Sequence, residues 1–187
     1  MRCPEIIVVD DFLEDPDAIR RLALEQPFVK MHSAGVRTER QFLHVAPYRE
    51  RFEQLLGGRL TNWDDNAANG RFQCCFATDA IPYHSDSQAL AGVLFLTPDA
   101  PISAGLSLYR GRLSGLRRRS PDARLMQLTF GGGAEFDRSR WEEVDQIGNI
   151  YNRLVLFDAH LAHGASAYFG ADVASGRLFQ NFFFNLE

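Results

Sequence analysis

Lysine is almost missing from this 187-residue chain: of its 20 basic residues only Lys30 is one. The remainder are arginines, planar forks that keep their proton, where lysine would be a mobile point charge. A coding bias alone can produce such a ratio, so it raises a question about what the arginines do. Cysteine is nearly as scarce, with three in the chain, and Cys74 and Cys75 are adjacent in a strand-like segment. Neighbouring residues of a strand point to opposite faces. A disulfide framework is thereby excluded, as is a zinc ribbon, because no Cys-X-X-Cys occurs; a reduced, cytoplasmic setting is expected. No apolar run reaches the roughly 18 residues needed to cross a bilayer. Met1-Arg2-Cys3-Pro4-Glu5 also lacks the apolar stretch of a signal peptide, so no membrane association is expected. Acids outnumber bases, 24 to 20, for a net charge of −4, which argues against a general nucleic-acid binder.

What the chain does have is enough apolar material for a core: 45% hydrophobic residues, including 15 Phe. Ile6-Ile7-Val8-Val9 reads as a short buried strand. Asp15 and Pro16 have the chemistry of a helix N-cap and first turn, and Pro27 closes that helix. Tyr48, Phe52, Leu55 and Leu56 recur at helical spacing before a Gly57-Gly58 stop. From Arg71 the texture changes to short β-type runs: 71–78, 89–97, 106–110, 141–147, 153–157 and 177–186. Between them, 122–130 can form a helix. Two helices followed by many short strands give an α+β chain, mainly β: a sandwich or barrel buttressed by N-terminal helices, in a single domain over 1–187.

Chemistry concentrates around the histidines. His32 and His44 have no acidic or histidine neighbours at ligand spacing and read as structural. His84 sits in Pro82-Tyr83-His84-Ser85-Asp86, where an extended chain projects His84 and Asp86 to the same side, within reach of one metal ion. Downstream, 152–158 is a buried-strand pattern that runs into Ala159-His160-Leu161-Ala162-His163-Gly164. A histidine just past such a strand can meet His84 and Asp86 in one barrel. Two imidazoles and a carboxylate form the facial triad of non-haem Fe(II) sites, which leaves positions open for substrate and oxygen. On the last strand Arg177, Phe179, Asn181 and Phe183 share one face, and Leu178, Gln180, Phe182 and Phe184 share the other. An arginine among buried aromatics calls for an anionic partner. Six arginines, Arg110, Arg112, Arg117, Arg118, Arg119 and Arg124, face the single acid Asp122. They read either as a solvated loop or as a mouth for an anion.

His84-Ser85-Asp86, then His163, then Arg177 resembles the His-X-Asp…His…Arg signature of Fe(II)- and 2-oxoglutarate-dependent dioxygenases. The opening strand and helix, Ala104–Arg110, Asn152–Asp158 and Gly176–Phe184 are similar to uncharacterised bacterial proteins of the prolyl-hydroxylase-like branch. That resemblance implies a double-stranded β-helix, or jelly roll, over 71–187 with a helical buttress over 1–60. It implies Fe(II) held by His84, Asp86 and His163, with His160 as the competing third ligand, and 2-oxoglutarate and O2 as co-reactants in the hydroxylation of a C–H bond. Arg177 would take the distal carboxylate of 2-oxoglutarate in a bidentate pair. The branch usually carries a further cosubstrate-binding tyrosine on the strand before His-X-Asp. Here that strand is Gln73-Cys74-Cys75-Phe76-Ala77, so the contact is absent or falls to Tyr83 or Gln73, and Tyr168–Ser175 is an insertion. Arg110, Arg112, His160 and Asn181 are expected on the side of a small-molecule or peptide substrate of anionic character. A cupin-like metal-dependent isomerase or hydrolase, or a non-catalytic jelly-roll binding module, would fit the same residues.

Overall fold

The alternation at the C-terminus sets up the architecture. In the computed structural model, which describes residues 4–31 and 34–187, the strands are β1 (Ile6–Val9), β2 (Phe28–Val29), β3 (Val36–Thr38), β4 (Leu60–Thr61), β5 (Phe72–Cys75), β6 (Leu90–Phe95), β7 (Leu106–Gly111), β8 (Trp141–Ile147), β9 (Leu154–Asp158), β10 (His163–Ala165) and β11 (Arg177–Leu186). The helices are α1 (Pro16–Leu24), α2 (Tyr48–Leu56) and α3 (Ala123–Phe130). β11 lies inside an antiparallel sheet of order β1-β9-β6-β11-β5-β3-β2, with β4 pairing its far end. A smaller sheet, β10-β7-β8, packs across from it, completing a mainly β jelly roll. Among the described residues no helix is long and apolar enough to cross a membrane.

Each face of the large sheet has its own task. Leu178, Phe182 and Phe184 turn outward with Cys74, Leu94 and Leu156 and meet Phe12, Ile19, Tyr48 and Phe52 from α1, α2 and their approach. The rings of Phe52 and Phe182 meet edge to face with centroids 5.0 Å apart, and Trp63 stacks on Phe182 at 6.0 Å. Cys75, Val93, Phe95, Val155, Phe157 and Phe179 turn inward and form a second cluster with Leu106 of the small sheet. Cys74 and Cys75 are free thiols buried on opposite faces, as strand periodicity requires. Asp15 caps α1 by accepting a hydrogen bond from the Ala18 N–H at 2.9 Å, and Gly57 ends α2 in the left-handed conformation, φ 69°. The reading of His32 lies outside the described residues.

Two polar clamps hold the inner face in place. Thr97 Oγ1 donates to the Gly176 carbonyl at 2.7 Å and accepts from the Leu178 N–H at 2.9 Å, which fixes the backbone on either side of Arg177. Asn152, at φ 63°, accepts from the Leu13 N–H and donates to the Leu13 carbonyl, tying the N-terminal segment to the start of β9.

Candidate metal centre and its cavity

His84 and His163 come from separate stretches of chain that the backbone joins. The His84 N–H donates to the His163 carbonyl at 3.0 Å, and the His163 N–H donates to the His84 carbonyl at 2.8 Å. Directly opposed antiparallel residues put their side chains on one face, and the two rings lie 4.4 Å apart. The Asp86 N–H donates to the Ala159 carbonyl, at the end of β9, which brings its carboxylate under both rings. Gly164 lets the two stretches approach: a Cβ there would stand 2.7 Å from the Pro82 carbonyl oxygen.

The three side chains converge. His84 Nε2 is 3.6 Å from Asp86 Oδ1, and His163 Nε2 is 3.5 Å from Asp86 Oδ2. One ligand atom from each lies within 4.8 Å of the others. His163 donates from Nδ1 to the Leu161 carbonyl at 2.8 Å and meets the Phe157 ring edge to face, so Nε2 is the ring nitrogen turned to Asp86. Burial, with the neighbouring His163 ring, lowers the His84 pKa to about 4, so its imidazole is neutral near pH 7. Burial works to raise the Asp86 pKa, but His163, His84 and Arg37 outweigh it and hold the group below the ordinary carboxylate value. Asp86 Oδ2 is fully buried and has no hydrogen-bond partner among the described residues. A buried carboxylate oxygen with no hydrogen-bond partner, set beside two imidazole rings, is an incomplete polar arrangement that a divalent cation completes. The donor set, two nitrogens and one oxygen, suits Fe(II) with open positions.

The triad opens into a cavity of about 240 Å³ between the sheets, reached also by Arg37, Gln73, Tyr168, Arg177 and Asn181. Arg177 is 2% exposed. Its Nε and Nη2 donate to the Ala104 and Gly105 carbonyls, each at 2.9 Å, and its guanidinium lies 4.4 Å from the Phe179 ring centroid, 5.2 Å from Phe95 and 5.9 Å from Tyr168. Among the described residues no carboxylate pairs with it and Nη1 makes no hydrogen bond. The anionic partner that sequence reasoning called for is replaced, within the chain, by two carbonyl dipoles and three ring faces. Burial lowers its pKa, yet a guanidinium keeps its proton.

The other candidate residues divide. Gln73 and Asn181 line the cavity. Tyr83 does not; its ring packs against Tyr109 at 5.0 Å and Trp141 at 6.2 Å in a separate aromatic cluster. Tyr168, at the head of the supposed insertion, is the tyrosine that stands beside Arg177. His160 turns to Asp158, 3.8 Å away, outside the triad. The arginine-rich stretch does not border the cavity. Arg110 pairs with Glu142 at 2.6 Å, Arg112 donates to the Trp141 carbonyl, Arg117 lies near Glu5 and Asp145, and Arg118 pairs with Asp158. Sequence reasoning missed Tyr168 as a cavity residue, and it missed Arg37, on a three-residue strand whose partner, Gln73, is visible only from the sheet register.

Residues 3–184 match DUF6445, described as a family of unknown function. No curated protein matches the chain by sequence. Among solved structures, HygX from Streptomyces hygroscopicus with nickel and 2-oxoglutarate bound is 12% identical, with a TM-score of 0.60, 96% of this chain covered and 82% of that one. A 2OG-Fe(II) oxygenase family oxidoreductase from Burkholderia pseudomallei is 10% identical, with a TM-score of 0.57 and coverage of 98% and 92%. AviO1 from Streptomyces viridochromogenes is 13% identical, with a TM-score of 0.55 and coverage of 97% and 90%. This chain therefore has the fold of the 2-oxoglutarate–Fe(II) oxygenases.

Proposed function

The chain belongs to the DUF6445 family, and we propose that it is an Fe(II)- and 2-oxoglutarate-dependent dioxygenase that hydroxylates a C–H bond of a small-molecule or peptide substrate. The observation that carries this reading is the pairing, in one cavity, of the His84–Asp86–His163 triad with the buried Arg177 guanidinium, which no carboxylate of the described chain neutralises. A metal-dependent isomerase or hydrolase needs the triad but has no use for a dry cationic fork at the far end. HygX, which shares this fold, has nickel and 2-oxoglutarate bound, and that supports the reading.

In this reading His84, Asp86 and His163 hold the iron. When bound, the iron with 2-oxoglutarate and O2 supplies the oxidising chemistry: the cosubstrate is decarboxylated to succinate and CO2, taking one oxygen atom, and the other enters the substrate. The chain supplies the rest. Asp86 places one negative charge against the cation, and the neutral His84 offers its lone pair without first losing a proton. Arg177 receives the distal carboxylate through Nη1 and the remaining Nη2 hydrogen, while Ala104 and Gly105 keep the fork from turning. Phe95, Phe157, Phe179 and Phe183 exclude water from the space between.

The test is spectroscopic. Adding 2-oxoglutarate to the anaerobic Fe(II) protein is expected to produce a visible charge-transfer band. Arg177→Gln is expected to retain the metal but weaken 2-oxoglutarate about tenfold or more, the worth of a charge-assisted hydrogen bond. His163→Ala is expected to abolish iron binding and His160→Ala to leave it intact. An iron-loaded protein that gives no band contradicts the cosubstrate, and the reverse result for the two histidines contradicts the ligand set.

A further inference from the structure

On the same inner face of the large sheet as Arg177, a second arginine, Arg37, lines the cavity with part of its guanidinium unengaged by the described residues. Arg37, Gln73 and Phe179 are cross-strand neighbours on β3, β5 and β11, and Asn181 follows two residues along the same face. Gln73 is the pivot. Its Nε2 donates to the Ala34 carbonyl at 3.0 Å, which fixes the amide orientation and turns Oε1 toward the cavity. That oxygen accepts from Arg37 Nε and from Asn181 Nδ2, each at 2.8 Å. Because Oε1 can only accept, Asn181 must present its NH2 group to it, and its own Oδ1 is the acceptor left over. Arg37 Nη1 and Nη2 make no hydrogen bond or ion pair with the described residues, and neither does Asn181 Oδ1. The charge of Arg37 is felt at both His84 and Asp86, which places the subsite within electrostatic reach of the triad.

Resting on the reading of the triad and Arg177 given above, we infer that Arg37 and Asn181 form the substrate's anchoring site and that the substrate carries a carboxylate with an N–H or O–H on the adjacent carbon. The two free guanidinium nitrogens match the two oxygens of a carboxylate, and Asn181 Oδ1 accepts from the neighbouring donor. A free α-amino or α-hydroxy acid has this chemistry, and so does the C-terminal residue of a peptide. Gln73 is a positioning residue: it touches neither group of the ligand but sets the direction of both that do. Two arginines in one small cavity then have different tasks, Arg177 for the cosubstrate and Arg37 for the substrate.

Calorimetry on the nickel-loaded protein, with and without 2-oxoglutarate, tests the assignment. The probes are L-amino acids other than histidine and cysteine, L-malate, and N-acetylated tripeptides, each compared with its carboxamide. The free carboxylate form of at least one probe is expected to bind and its carboxamide to bind about tenfold more weakly or worse. Arg37→Gln is expected to cost that ligand about 10- to 100-fold and Arg37→Lys less, with 2-oxoglutarate affinity unchanged within about twofold in both. Preference for free acids over tripeptides identifies a small-molecule ligand and the opposite preference a peptide end; either supports the subsite. The assignment is overturned if no acid binds a protein that does bind 2-oxoglutarate, if acid and amide bind alike, or if Arg37→Gln weakens 2-oxoglutarate as strongly as Arg177→Gln. A wild-type protein that fails to bind 2-oxoglutarate removes the cosubstrate reading instead, and Arg37-dependent acid binding in its absence then decides the subsite separately.

Discussion

Burial lowers the pKa of both His84 and Arg177, but their intrinsic basicities give opposite outcomes. An imidazole gives up its proton when desolvated; a guanidinium keeps it and must find dipoles or rings. His84, with its pKa lowered from 6.5 to about 4, makes the metal-free fold sensitive to acid. Between those values the unfolded chain binds a proton that the folded chain refuses, so stability falls as pH falls through that window. Asp86, whose pKa is lowered, adds a further loss at still lower pH. The thermal midpoint of the metal-free protein is therefore expected to drop on acidification from about pH 6.5 to pH 4 and the His84→Gln variant to show a shallower dependence; equal slopes would contradict a neutral His84 in the folded state. The triad was legible because His-X-Asp puts two ligands on one side of an extended chain and β9 delivers a histidine beyond it. Arg177 was legible from the alternation of β11. Arg37 was not, since only the register Arg37–Gln73–Phe179 brings it into the cavity, and no local pattern around Val36-Arg37-Thr38 encodes that pairing.

Strands long enough to show alternation announced themselves. β6, β7, β8, β9 and β11 fall where periodicity and turn residues place them, and α1 and α2 carry the expected capping residues. β2, β3, β4 and β10 are two or three residues long, shorter than a pattern needs, and exist because a neighbouring strand offers hydrogen bonds. β10 matters most of these, because its pairing with β7 turns the segment after β9 back under the triad and seats His163 across from Leu108. The joint between β9 and the N-terminal segment rests on Asn152. Asn152→Ala removes two buried hydrogen bonds and places alanine at φ 63°, so it is expected to cost about 2–3 kcal/mol in denaturant unfolding while leaving metal affinity unchanged. A loss under about 1 kcal/mol would show that the joint is held by packing alone.

At the scale of the molecule, two sheets of unequal size enclose a cavity walled on one side by the inner face of β11, while the outer face of the same strand packs on an aromatic core under the helices. The fold recurs in proteins only 10–13% identical because it asks for alternation and layer packing, which many sequences satisfy. Chemistry asks for more: two imidazoles, a carboxylate and a guanidinium at fixed positions on that scaffold. The scarcity of lysine has its clearest consequence here, since the two cations inside the cavity are both arginines, whose forks can hold a carboxylate through two parallel hydrogen bonds. Charge averaged over the chain, or even over the arginine-rich 110–124 stretch, pointed elsewhere, because that stretch does not line the cavity and four of its arginines, Arg110, Arg112, Arg117 and Arg118, are engaged by Glu142, the Trp141 carbonyl, Glu5 with Asp145, and Asp158. The most direct measurement of the central claim is a crystal structure of the protein grown anaerobically with nickel and 2-oxoglutarate, with anomalous data collected at the nickel edge. The account predicts one anomalous peak bounded by His84, Asp86 and His163 and the distal carboxylate of 2-oxoglutarate on Arg177. A peak elsewhere, or 2-oxoglutarate seated on Arg37 with Arg177 unengaged, would contradict it.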